Sequence, residues 1–157
     1  MQEEIKWEVK KFTELSVEEL YDILRLRSEV FVVEQRCVFL DMDERDQHSY
    51  HLQGRLDNKL VAYVRLLPPG LAYDEPSIGR VVSSPAYRRK GAGKELMKTA
   101  ISETRRLFGN LSIMIGAQLY LKQFYENLGF HKCSEIYLED DIDHIKMINY
   151  YGNGHSH

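Results

Sequence analysis

Only two cysteines, four prolines and one tryptophan occur among 157 residues, with no long apolar run and no excess of positive charge. Each scarcity closes a class of function. Cys37 and Cys133 lie far apart, in neither a metal-ligand spacing nor a disulfide framework, so free buried thiols are expected. His48-x-x-His51 has a metal spacing in outline but no further ligands at a recognisable interval, so no metal is expected. No stretch approaches the roughly 20 apolar residues that cross a bilayer. The opening MQEEIKWEVKKF has acidic residues and alternation where a signal peptide has a basic end and an apolar run. The expectation is a cytoplasmic protein without a membrane partner. The net charge of −3 gives no general attraction to nucleic acid or to an anionic surface, so any anion site has to be local.

What is present is a globular composition, with 43% hydrophobic and 29% charged residues, in a length that suits one core better than two. Residues 1–151 are expected to form one domain and GNGHSH, from 152, a disordered tail. No internal repeat and no linker rich in Pro, Ser or Gly interrupts the chain.

Ile5, Trp7 and Val9 alternate with polar neighbours, which predicts a strand. Ser16 with Glu19 three residues on, then Leu20, Ile23, Leu24, Arg27 and Phe31, predicts a capped amphipathic helix. EQRCVFLDMDERDQHSY has no sustained period and reads as loop, with room for one short helix. HLQGRL and LVAYVRLL around Asp57-Asn58 predict a hairpin, and SIGRVVSS a further strand that ends before Pro85. Leu96, Ala100 and Leu107, flanked by Met97, Ile101 and Phe108, predict a helix of about four turns ended by Gly109. LSIMIGA reads as a buried strand, QLYLKQFYENLGF as a helix stopped by Gly129, and FHKCSEIYLED and HIKMINYY as two further strands. One mixed sheet with helices packed on it accounts for this order.

The stretch YRRKGAGKEL, residues 87–96, sets basic residues against two glycines at a strand-to-helix junction. A nucleotide P-loop would need glycine at Arg88 and a hydroxyl residue at Glu95, and a dinucleotide fingerprint would need glycine at Leu96; both fail. The pattern R/Q-x-x-G-x-G/A is met by Arg88, Gly91 and Gly93. Glycines allow close approach of the backbone, amides at the helix start point at an anion, and basic side chains add charge, which suits a pyrophosphate.

This strand, loop and helix resemble the signature motif of the GNAT-superfamily acyltransferases. LRSEVFVVEQ (26–35), IGRVVSSPAYRRKGAG (78–93), and FYENLGF with SEIYLED downstream are similar to its ElaA-like branch. The resemblance covers nearly the whole chain. It implies an α+β (mixed α/β) fold, with a central mixed, mostly antiparallel sheet of about seven strands and helices on both faces. It also implies acetyl-CoA as the acyl donor, CoA as product, and a primary amine of a small molecule or peptide as acceptor. A homodimer is common in the family, and nothing in the sequence demands one.

Residue by residue, the resemblance implies that Arg88, Arg89, Lys90, Gly91, Ala92, Gly93 and Lys94 hold the pyrophosphate. Val81, Val82 and Ser83 match the end of the fourth strand, whose amides pair with the pantetheine arm in a V-shaped opening beside the fifth strand. Gln118, after the fifth strand, is a candidate for the pantetheine amides. Tyr125 takes the role of general acid to the departing thiolate, with an amphipathic core tyrosine as the plainer reading. Glu34 and Asp140 are the acidic candidates for base or ammonium binding, and His51 and His144, at strand starts, the candidate proton relays. Arg65 and Arg80 read as outward-facing salt-bridge partners, with recognition of a substrate carboxylate as the second reading. A noncatalytic CoA-binding or regulatory module on the same fold, and transfer of a longer acyl chain, both stay open.

Overall fold

The computed structural model describes residues 4–88 and 91–152. The strands are β1 (Lys6–Lys11), β2 (Tyr50–Leu56), β3 (Lys59–Leu67), β4 (Ser77–Ser83), β5 (Ile113–Gln118), β6 (Phe130–Lys132), β7 (Tyr137–Glu139) and β8 (Ile142–Asn149). The α-helices are α1 (Val17–Arg27), α2 (Ala92–Phe108) and α3 (Lys122–Glu126). Among the described residues all eight strands join one sheet in the order β1-β2-β3-β4-β5-β8-β6, with β7 also paired to β8, and only the β4–β5 pair is parallel. The sheet has eight strands against the seven expected because FHKCSEIYLED supplies two, β6 and β7.

Side-chain alternation along β3 distributes the layers. Ala62, Val64 and Leu66 pack in the larger core with Leu96, Met97 and Ala100 of α2, whereas Tyr63 packs with Ile23 and Leu26 of α1. Successive strand residues face opposite sides, so the two helices cover opposite faces of the sheet. Local signals agree with these placements. Ser16 Oγ accepts from the Glu19 N–H at 3.0 Å while Glu19 Oε1 accepts from the Ser16 N–H at 2.8 Å, the reciprocal capping box that starts α1. Asp57 and Asn58 take φ of 51° and 66°, as a two-residue hairpin turn requires. No helix among the described residues is long and apolar enough to cross a membrane.

Three expectations need correction. The helix read over QLYLKQFYENLGF divides into a 3-10 turn, Leu119–Leu121, and the five-residue α3, so Gln118 is the last residue of β5 rather than the opening of a long helix. The single helix read from Ser16 through Phe31 changes type at Arg27, where α1 gives way to a π-helical segment, Ser28–Glu34, that ends at the first residue of the segment read as loop. The cysteines are not buried: Cys37 is half-buried and Cys133 exposed, because Cys133 follows the three-residue β6 at the margin of the sheet.

Candidate active site

Between Arg65 and Tyr63 on β3, one residue faces two on β4, so β4 carries a bulge. Arg80 sits in it with φ of 50°. The extra residue switches the side-chain faces: Ile78 packs toward α2, and Val82, four residues on, toward α1. β4 leaves β5 already before the bulge: Ser77↔Met114 is the one ladder pair between them among the described residues. The two parallel strands splay, and a cleft of about 690 Å³ opens along them. Val81, Val82 and Ser83 line it on the β4 side, and Gly116 and Gln118 on the β5 side.

The cleft reaches the start of α2 at Gly93. Gly91 caps that helix with φ of 85°, a left-handed conformation that glycine adopts without steric cost. Ala92 is buried and Lys94 exposed, neither lining the cleft, and Arg89 and Lys90 lie outside the described residues. At Gly93 a Cβ would meet only the Phe124 ring at 3.5 Å, an ordinary contact. Among the described residues no closer neighbour takes up the space at Gly93, so that space fits a ligand brought against the backbone. Arg88 donates to both oxygens of Glu34, at 2.7 and 2.6 Å. This fork, with the charge beside it, holds the Glu34 carboxyl below its ordinary value, and a carboxylate so committed is a poor base.

Tyr125 lines the cleft from α3, only 8% exposed, its ring edge-on to Phe124 and Phe130. Its hydroxyl has no hydrogen-bond partner among the described residues. Burial, aided by Tyr120, pushes its phenol up to about 12, so the proton is retained through the physiological range. His144 on β8 also lines the cleft. The Ile142 carbonyl lies 2.8 Å from its Nδ1 and can only accept, so in the neutral ring the proton sits on Nδ1 and the lone pair on Nε2. Glu139 Oε2 is 3.9 Å from that Nε2. Asp140 lines the cleft too, with φ of 50° in the two-residue turn that joins β7 to β8, and its carbonyl accepts from Cys37 Sγ at 3.6 Å.

His51 is a correction. It is wholly buried and does not line the cleft. Its Nε2–H donates to the Asp46 carbonyl at 2.9 Å, and its Nδ1 accepts from the Tyr63 hydroxyl at 2.6 Å. Burial, the largest influence, lowers its basicity. Both ring nitrogens are committed, so this histidine braces the fold and carries no proton to the cleft.

Arg65 and Arg80 are a second correction. Neither faces outward: they belong to a largely buried lattice in which Arg27, Arg65 and Arg80 meet Asp41, Asp43 and Asp46. Arg27, 0% exposed, donates to Asp41 at 2.7 Å and Asp46 at 2.8 Å, and lies over the Tyr63 ring. Arg65 clasps both oxygens of Asp43, at 2.7 and 2.8 Å, and Arg80 reaches Asp41 at 2.8 Å. The sequence signal was the carboxylates of DMDERD, spaced by two and three residues in a segment with no period. Burial works to raise the Asp43 carboxyl, but Arg65 and then Arg80 outweigh it and hold it at about 2. Since the folded carboxyl is the stronger acid, its contribution to stability is fully present above roughly pH 4. That contribution is lost as pH falls toward 2. Denaturation midpoints measured from pH 5 to 2 should therefore fall less steeply in Asp43→Asn than in the unaltered protein.

Residues 12–150 match the family described as acetyltransferase (GNAT) domain. A UPF0039 protein of Synechocystis is 45% identical over 146 residues, 92% of this chain and 95% of its own length. Protein ElaA of Escherichia coli is 38% identical over 145 residues, 91% and 95% of the two chains. The crystal structure of an acyl-CoA N-acyltransferase from Pseudomonas aeruginosa superposes with a TM-score of 0.86 at 42% identity, over 92% of this chain and 99% of that one. A shared fold and a match along nearly its full length lead to one conclusion: this chain belongs to the acetyltransferase (GNAT) domain family and is ElaA-like within it.

Proposed function

We propose that the protein is an acetyl-CoA-dependent N-acetyltransferase that passes the acetyl group directly to a primary amine of a small molecule or peptide. The observation that carries this reading is the open edge of β4 beyond Ser77, which runs along a cleft to the glycine-capped start of a 17-residue helix. Backbone donors on β4 and at a helix start are what an extended, anionic ligand needs. The amides of Gly91, Ala92, Gly93 and Lys94, with the charges of Arg89 and Lys90, receive the pyrophosphate. Arg88 adds to them once released from Glu34. Val81, Val82 and Ser83 offer main-chain groups to the pantetheine arm and to oxygen at the acetyl carbon, and Gln118 offers its side-chain amide. The donor supplies an acetyl group already activated as a thioester.

Tyr125 holds the proton that the departing sulfur needs. His144 Nε2 is the group that takes a proton from the arriving ammonium, and Asp140 adds negative charge near the approach. The compartment in this reading is the cytoplasm. The test is thiol release from acetyl-CoA across a panel of amines. Turnover of at least one amine supports the reading, and tight binding of acetyl-CoA without turnover of any amine defeats it. Gly93→Val should fold, because Gly93 meets only the Phe124 ring, but should raise the acetyl-CoA Kd by about tenfold or more by filling the approach to the helix start. Calorimetry with chemical denaturation as a control checks this.

A further inference from the structure

Given that acyl transfer takes place in this cleft, the charges along its two walls specify the acceptor. On the β4 side Arg45, Arg65 and Arg80 all line the cleft. With Arg27 they make four guanidinium groups against the three carboxylates of Asp41, Asp43 and Asp46. Asp43 is already clasped by Arg65 and touched by Arg80 at 3.5 Å, so Arg45, 46% exposed, shares that carboxylate only at 3.9 Å, beyond hydrogen-bond distance. Arg80 is bound through Nε and Nη2 only, and its Nη1 has no partner among the described residues. Two guanidinium edges are therefore free to donate to an anion.

Across the opening, at the end of β7 and its turn into β8, the lining charges are negative, and Lys146 of β8 lies outside that lining with its Nζ over the Tyr73 ring. Glu139 and Asp140 line the cleft without a lysine or arginine within ion-pair distance among the described residues. Glu139 is 56% exposed, its Oε2 3.9 Å from Nε2 of His144. Between the walls Tyr73 lines the cleft. Its hydroxyl and that of Tyr137 both lie over Gly116, where a Cβ would be 3.1 Å from the first and 2.9 Å from the second. Burial raises the Tyr73 phenol, Glu139 raises it further and Arg45 lowers it, so both opposite charges act on this one hydroxyl.

We infer that the acceptor is a zwitterion of the amino-acid type, a primary amine that carries its own carboxylate. The carboxylate lies between Arg45 and Arg80, and the ammonium faces Glu139 and His144. A polyamine would leave the cationic wall unpaired and press a positive charge toward it. A carboxylate there accepts charge-assisted hydrogen bonds in a partly desolvated cleft, where such bonds are strong.

The experiment uses matched pairs that differ by one carboxylate: lysine against cadaverine, ornithine against putrescine, phenylalanine against phenethylamine. Each is titrated calorimetrically into the full chain saturated with CoA, and thiol release from acetyl-CoA is measured separately. At least one carboxylated member should bind about tenfold tighter or more than its partner. Arg45→Gln, at an exposed position outside the buried lattice, should bring that pair close to parity by weakening the carboxylated member. Glu139→Gln should weaken both members. Binding preference without turnover upholds this inference and defeats the proposed activity. The inference is overturned if no carboxylated amine binds, if the decarboxylated partners bind equally well, or if Arg45→Gln keeps the preference.

Discussion

Tyr125→Phe is expected to lower kcat by roughly 10²-fold or more, within the span that a positioned proton donor contributes, while acetyl-CoA binds as before. The substitution removes one oxygen from a ring packed edge-on to Phe124 and Phe130, so the packing that holds α3 survives. That oxygen has no partner among the described residues, so its loss leaves no buried donor or acceptor stranded. Its phenol is pushed up to about 12 by burial, so it is protonated at every pH at which the chain is assayed. An acid that loses its proton only near 12 gives no alkaline fall in rate of its own below pH 10. The rate profile of the unaltered protein should show no loss assignable to Tyr125 there. Single-turnover thiol release with and without the hydroxyl, beside calorimetric affinity for CoA, separates the two quantities. A noncatalytic CoA-binding module would be indifferent to the change in both.

The second large effect is on stability. Arg27→Leu should cost about 3–5 kcal/mol, as breaking a buried ion pair by removing one partner does. Arg27 is fully buried and donates at 2.7 and 2.8 Å to Asp41 and Asp46, in the connection between the π-helical segment and β2. Leucine fills part of the volume but leaves Asp41 and Asp46 in a low-dielectric site with one cation fewer. Arg80 and Arg65 still touch them, which keeps the loss finite. Arg27→Lys should recover only part, since one ammonium cannot reproduce a planar fork that reaches two carboxylates at once. Urea denaturation of the three proteins reads the difference. A loss below about 1 kcal/mol for the leucine variant would mean that the lattice is no net support.

Elements carried by local chemistry were legible in the sequence. Ser16 and Glu19 announced α1, Asp57-Asn58 the β2–β3 turn, and Gly91 and Gly109 the two ends of α2, because each acts within a few residues of itself. The contents of the cleft were legible where a side chain lies on the element that borders it, as for Val81, Val82, Ser83, Tyr125, Asp140 and His144. Features set by distant pairing were not. A bulge on β4 depends on its register with β3, and period-2 reading cannot detect the extra residue that turns Val82 to the opposite face. Arg27 occupied an apolar stripe of a helix, and its partners lay 14 and 19 residues on, in a stretch without period. His51 and His144 looked alike as histidines at strand starts. Their roles parted only when Tyr63 and Asp46 closed over the first and the Ile142 carbonyl left one nitrogen of the second open.

The central claim is that the edge of β4 beyond Ser77 and the first turn of α2 together receive the donor. Amide hydrogen exchange, followed residue by residue with and without acetyl-CoA, tests it most directly. Added protection at Val81 to Ser83 and at Gly91 to Lys94, weakened in Gly93→Val, is the predicted result. Protection absent from both segments, or concentrated instead around the second cavity lined by Lys98, Arg105 and His131, would contradict it.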